Sequence, residues 1–87
     1  MGFATKEMMG EEKQLVTSIG LKIALLRSER ELPRAELAKQ AELHPQYLYD
    51  VEMGKRNVTI YVLGKIARAF DITLSELLES HTLPPID

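Results

Sequence analysis

Apolar side chains recur every three or four residues along most of the chain, which predicts helices rather than strands. The first helix is predicted over about residues 13–30, from the apolar positions Leu15, Ile19, Ile23 and Leu26. Gly20 lies within it and weakens a helix by about 1 kcal/mol relative to alanine. Residues 1–12 show no clean period and are predicted to form a flexible N-terminal arm.

Residues that favour helix ends divide the rest of the chain into four further helices. These residues are Pro33, His44, Pro45, Gly54, Thr59 and the capping-box pair Thr73 and Glu76. In the fourth helix, the positions expected to face the core are Ile60, Leu63, Ile66, Ala67 and Phe70. The pattern predicts an all-α fold with five helices in one domain over residues 13–80, followed by a tail at residues 81–87.

The third helix, at about residues 45–53, is predicted to have two different faces. At 100° per residue, Leu48 and Val51 lie together and are expected to anchor the helix to the core. The opposite, outward stripe holds Gln46, Tyr49, Asp50 and Met53. Glutamine pairs with adenine, aspartate accepts from cytosine, and a tyrosine ring touches the methyl group of thymine, so the stripe suits base edges. The alternative is a plain solvated face, although exposed tyrosine and methionine favour a partner.

Composition and charge narrow the function. The 87 residues are 45% hydrophobic and 28% charged, as in soluble globular proteins. Without cysteine and with only two histidines, we expect neither a metal site nor a cofactor, and no catalytic motif indicates an enzyme. No apolar run reaches the ~20 residues that span a bilayer, and no signal peptide is visible, so a cytoplasmic protein is expected. The net charge of -2 opposes nucleic-acid binding only mildly, since the acidic excess sits at the two ends.

Residues 19–78 resemble the lambda-repressor-like, Xre-type helix-turn-helix domain. The motifs that carry the resemblance lie at residues 26–30, 36–38, 44–57 and 63–78. Within that family, Tyr47, Val51, Glu52 and residues 54–57 are most similar to the controller proteins of restriction-modification systems. The resemblance implies a compact five-helix domain that forms a homodimer, often through its last helix, and binds a palindromic operator.

Roles for single residues follow from the resemblance and from the outward stripe of the third helix. Arg27 and Glu52 are expected to form an ion pair between the first and third helices, because a buried carboxylate needs a partner. The alternative is two unlinked surface charges. Base contacts are expected from Gln46, Tyr47, Tyr49 and Asp50. Contacts with the DNA backbone are expected from Arg34, Lys39, Lys55, Arg56 and Asn57. The dimer surface is predicted at Tyr61, Leu74, Leu77 and Leu78.

Some positions depart from the family pattern. Glu31 and Glu42 stand where turns usually carry glycine or asparagine, and a left-handed conformation there costs about 1–2 kcal/mol each. Pro45 replaces a polar side chain that often reads bases. Tyr49 is bulky where serine is common. These departures are expected to change which DNA sequence is bound more than they change the fold of the protein.

Two functions are compatible with these features. The leading hypothesis is a sequence-specific transcriptional regulator that binds double-stranded DNA as a homodimer, with the third helix in the major groove. The second is a protein-interaction module on the same fold, of an antitoxin or adaptor kind, which the low net charge favours. DNA binding should weaken steeply with salt, whereas an apolar protein interface should not. Activation of transcription would also require a contact with RNA polymerase.

Overall fold

The computed structural model describes residues 10–79, which form five α-helices joined by short turns. The helices are α1 (Glu11–Glu29), α2 (Arg34–Gln40), α3 (Pro45–Glu52), α4 (Ile60–Ala69) and α5 (Leu74–Leu78). The predicted all-α class with five helices is confirmed. Because α1 begins at Glu11, the last two residues of the predicted arm are helical. The remainder of that arm and the predicted tail lie outside the described residues.

Side-chain caps place the starts of three helices. His44 Nδ1 and Thr59 Oγ1 each accept a backbone N–H from the first turn that follows, at 3.0 and 3.1 Å. Thr73 and Glu76 form the predicted capping box, in which the Glu76 N–H donates to Thr73 Oγ1 at 3.0 Å and the Thr73 N–H donates to Glu76 Oε1 at 2.8 Å. These bonds satisfy amides that have no partner inside the helix, so α3, α4 and α5 begin where the sequence indicates.

Each of the four turns after α1, α2, α3 and α4 contains one residue with a left-handed backbone conformation. The φ angles are 53° at Glu31, 60° at Glu42, 73° at Gly54 and 64° at Asp71. Glu31 and Glu42 were expected from the sequence to be strained in this way, whereas Asp71 was not. Only Gly54 lacks the Cβ atom that makes this conformation costly.

Replacing Glu31 by glycine is expected to stabilise the protein by about 1 kcal/mol. Removing the Cβ atom relieves about 1–2 kcal/mol of strain, and the greater freedom of glycine in the unfolded chain returns part of that gain. Urea unfolding measures the change as a shift of the midpoint at constant slope. Glu31→Ala keeps the Cβ atom and should gain nothing. A glycine variant no more stable than the alanine variant would refute the strain at this turn.

The core forms where all five helices meet. The buried apolar residues are Ile23, Leu37, Ala38, Ala41, Leu48, Val51, Leu63, Ile66, Ala67, Phe70 and Leu77. In this arrangement α1 packs against α3 and α5, α2 against α3 and α4, and α4 against α5. The core therefore holds α3 on one side only and leaves its other side at the surface.

Two apolar side chains lie elsewhere than predicted. Leu77 is 2% exposed, so its assignment to a dimer surface is wrong: α5 packs against both α1 and α4 and buries this residue between elements of one subunit. Ile60 is 64% exposed rather than inward, because it opens the first turn of α4. Leu15 is also exposed, since the buried residues of α1, Gly20 and Ile23, lie more than one turn further along.

Gly20 allows α1 to touch the backbone of α3. A Cβ atom at this position would lie 2.2 Å from Val51 O and 2.8 Å from Glu52 O, far inside van der Waals contact. The sequence pattern indicated only that Gly20 weakens α1. In the folded protein, the missing side chain is what permits the two helices to approach so closely.

The described residues lack two features: a helix that could cross a membrane and a group of side chains that could hold a metal ion. None of their helices has the length and apolar character needed to cross a membrane. Within residues 10–79, no three histidine or acidic side chains are grouped so that they could hold a metal ion.

Candidate nucleic-acid interface

The polar side of α3 faces solvent. Leu48 and Val51 are buried on the side that packs against α1 and α2. On the other side, Gln46 is exposed, and Tyr49 and Asp50 are half-buried. The helix thus has the orientation that the spacing of its apolar residues predicts, and a partner can reach the Gln46 side.

Two arginines hold the buried carboxylate of Glu52, whose side chain is 2% exposed. Arg27 of α1 binds it with two bonds: Nε donates to Oε2 at 2.8 Å and Nη2 donates to Oε1 at 3.0 Å. Arg34 of α2 adds a third bond, from Nε to Oε1 at 3.0 Å. Arg27 Nη1 also donates to Leu32 O at 3.0 Å. We call Arg27, Arg34 and Glu52 the clasp, because they join α1, α2 and α3.

The clasp contains the predicted ion pair and one member that sequence reasoning assigned elsewhere. The resemblance paired Glu52 with Arg27 and gave Arg34 a contact with the DNA backbone. An ionised carboxylate accepts about four hydrogen bonds, and a bidentate arginine uses only two of them. That spare capacity was the available signal that Glu52 could bind a second cation.

Two cations lie near the ring of Tyr49 on the outward side of α3. The guanidinium carbon of Arg34 is 5.0 Å from the centre of its ring, and Lys55 Nζ is 5.5 Å from the same centre. Both distances are within the ~6 Å over which a cation is attracted to a ring face. Arg34 therefore connects the buried carboxylate of the clasp to an aromatic side chain at the surface.

A second chain of contacts runs along the same face. Gln46 Nε2 donates to Asp50 Oδ1 at 3.2 Å, and Arg56 Nε lies 3.6 Å from Asp50 Oδ2. The guanidinium carbon of Arg56 also lies 5.1 Å from the ring centre of Tyr47, which packs against the core. Each of the four residues predicted to contact bases therefore contacts a neighbouring side chain.

The residues predicted to contact the DNA backbone occupy two kinds of position. Arg34, Lys55 and Arg56 lie beside α3, since each contacts one of its tyrosine rings. Lys39, in the last turn of α2, and Asn57, in the loop after α3, are both exposed. The structure thus brings three of these five residues around the outward face of α3.

The predicted dimer residues differ in exposure. Tyr61 is 72% exposed and Leu78 is exposed, while Leu74 is partly buried against the core. Tyr61 and Leu74 line an open groove of about 450 Å³, together with Ile60, Lys65 and Arg68. Ile60, which sequence reasoning placed in the core, therefore belongs to an apolar surface at the start of α4.

Comparison with known proteins identifies the family. The helix-turn-helix family matches residues 23–77, more than half of the chain. The control protein C.MunI of Mycoplasma sp is 42% identical over 59 residues, which cover 67% of this chain and 80% of that protein. The immunity repressor of Bacillus phage phi105 is 33% identical over 66 residues. That match covers 76% of this chain and 46% of the repressor, so the chain spans less than half of that relative.

Solved structures give the same result. The restriction-modification controller protein C.AhdI from Aeromonas hydrophila matches with a TM-score of 0.69 and 34% identity, over 71% of this chain and 94% of that one. A chain of the SinR/SinI complex matches with a TM-score of 0.66 and 33% identity, over 76% of this chain and 67% of that one. Control proteins and repressors are regulators and not enzymes. The chain belongs to the helix-turn-helix family, in its lambda-repressor-like, Xre-type form, a family of DNA-binding transcriptional regulators.

Proposed function

We propose that this protein binds double-stranded DNA sequence-specifically, as a homodimer on a palindromic operator, with α3 in the major groove. The observation that carries the proposal is the outward face of α3, which is flanked by the exposed cations Lys55 and Arg56. Cations contact phosphates and fix the register, whereas side chains on the helix contact base edges. The clasp joins α3 to α1 and α2 through the buried carboxylate of Glu52.

The relatives support a role in transcription. Two are named as control proteins and one as an immunity repressor. For the present chain, regulation of transcription in the cytoplasm follows as a proposal from that similarity. A contact with RNA polymerase stays a prediction that concerns activation alone.

Asp50 is better suited to orient Gln46 than to read a base itself. Both of its carboxylate oxygens have partners, Gln46 Nε2 and Arg56 Nε. Gln46 then keeps its carbonyl oxygen and its second N–H, the acceptor and donor that pair with N6 and N7 of adenine. Guanine offers two acceptors at this edge, so an amide held in this orientation favours adenine. We therefore assign the adenine contact to Gln46 and its orientation to Asp50.

Two alanine variants separate the base contact from the backbone contact. Gln46→Ala should weaken binding of the operator by about 1–3 kcal/mol and leave binding of random DNA nearly unchanged. Arg56→Ala should weaken both DNAs similarly and reduce the slope of log K against log salt by about one. Fluorescence anisotropy at several salt concentrations measures both quantities. Equal losses on operator and random DNA for both variants would refute the assignment.

The groove beside Ile60 and Tyr61 is the surface we propose for the second copy of the chain. A two-fold dimer places the same patch of both subunits together, so the patch must be complementary to itself. Glu42 and Arg68 both line the groove, and opposite charges within one patch meet this requirement. We propose that pairing here places the two α3 helices on one side of the dimer, where they meet half-sites ~34 Å apart.

A protein-interaction module is the second candidate, because the same exposed Ile60 and Tyr61 also suit another protein. One of the matching structures, SinR/SinI, is a complex between proteins. Salt dependence separates the two functions: affinity for DNA falls steeply from low to moderate salt, whereas an apolar protein interface changes little. A partner bound equally well across that range, with no DNA bound at low salt, would favour the second candidate.

A further inference from the structure

We propose that Arg34 positions Tyr49 and thereby sets sequence preference, instead of acting as a phosphate ligand. Two cations lie over the ring of Tyr49, but only one of them is anchored. Arg34 donates from Nε to the buried carboxylate of Glu52 at 3.0 Å, and its guanidinium carbon lies 5.0 Å from the ring centre. Lys55 reaches the same ring from the exposed loop after α3. This inference rests on the proposed function.

The bond to Glu52 restricts the guanidinium of Arg34. A guanidinium is rigid and planar, so the bond from Nε to Glu52 limits where the rest of the group can lie. That remainder is the part near Tyr49. A ring held in this way keeps one orientation in the free protein. Its side-chain entropy is then lost on folding, so less entropy is lost when DNA binds.

The position of the cations also determines how Tyr49 can contact DNA. With Arg34 and Lys55 both near the ring, stacking on a base would require displacing a cation. Tyr49 is half-buried, and both cations lie over its ring. We infer contact with a methyl group or polar atom at a base edge in the major groove.

Charge argues against a phosphate contact as the main role of Arg34. Its positive charge is drawn inward by Glu52, which already binds Arg27. The three clasp residues together carry one net positive charge, from two arginines and one glutamate. The negative charge of Glu52 offsets part of the positive charge of Arg34 that would otherwise attract a phosphate. Lys55 and Arg56, which are more exposed, are better placed for that contact.

Arg34→Lys tests the proposal because it keeps the charge and removes the planar group. An ammonium group cannot bind Glu52 and lie over Tyr49 in the same way as a guanidinium. We expect the ratio of affinities for an operator selected from a random pool and for random DNA to fall about tenfold, with an unchanged salt slope. Lys55→Ala is the matched control: it should lower the salt slope and weaken both DNAs similarly.

Tyr49→Leu makes the test independent of how well Arg34→Lys folds, since it leaves the bond between Arg34 and Glu52 in place. Alone, it should lower discrimination as much as Arg34→Lys, and the double variant should lose no more than either. Full discrimination in Arg34→Lys, or an equal further loss in the Tyr49→Leu background, would overturn the proposal. If the unmodified protein does not prefer any duplex, the proposed function fails and this inference falls with it. If the unmodified protein does prefer one duplex, the variants alone decide whether Arg34 sets that preference.

Discussion

Gly20→Ala is expected to destabilise the protein by about 2 kcal/mol or more, although alanine is the better helix former. Alanine would gain about 1 kcal/mol in an isolated helix. The added Cβ atom would lie 2.2 Å from Val51 O, and overpacking of this kind costs about 3 kcal/mol or more because the obstacle is backbone. The steric term exceeds the propensity term, so the sign is unfavourable. Urea or thermal unfolding monitored by circular dichroism measures it.

Gly64→Ala is the matched control for this substitution. Gly64 also lies in a helix, α4, but nothing is within 4 Å of the position of its Cβ atom. Within one subunit only the propensity term remains there, so this variant should be more stable by about 0.5–1 kcal/mol when unfolding is measured on the monomer. If alanine stabilises equally at both positions, α1 and α3 do not approach as closely as the structure shows.

Glu52→Gln is expected to cost about 3 kcal/mol of stability. Glutamine has nearly the same shape, so the loss reports charge and hydrogen bonding rather than a cavity. One carboxylate oxygen becomes an amide that donates, and it would face guanidinium groups that also donate. Breaking a buried ion pair costs about 3–5 kcal/mol, and we expect the lower end because the Arg34 side chain is 37% exposed and can turn to water.

An exposed carboxylate on the same scaffold provides the control. Glu29, at the end of α1, is exposed, and Glu29→Gln should change the free energy of unfolding by less than about 0.5 kcal/mol. The Glu52 variant should also bind DNA less selectively at temperatures where it remains folded, since α3 loses its support. Similar stability of the two variants would contradict the role of the clasp.

Periodicity and capping were sufficient to predict the helices and the orientation of α3. Leu48 and Val51 repeat at helical spacing, so the side that faces the core followed without a structure. The pairing of Arg27 with Glu52 came from the family resemblance, and the geometry shows that bond. These features depend on local spacing or on a motif, both of which a single sequence contains.

The remaining features depend on distances between segments that are far apart in the chain. The approach of Gly20 to α3 and the bond from Arg34 to Glu52 each join two helices. Leu77 and Ile60 show the same limit: both are apolar at helical spacing, and only the packing of α5 and the position of the first turn of α4 decide which is buried. Periodicity predicts which face of a helix is apolar. It does not predict how much of that face the neighbouring helices cover.

Selection of bound duplexes from a random pool, at low and moderate salt, tests the central claim most directly. If the Gln46 side of α3 reads the major groove of DNA, one palindromic consensus should emerge with half-sites ~34 Å apart, and its enrichment should persist as total binding falls with salt. Enrichment of no sequence at either salt concentration would contradict the claim. So would a consensus that the Gln46→Ala protein selects unchanged.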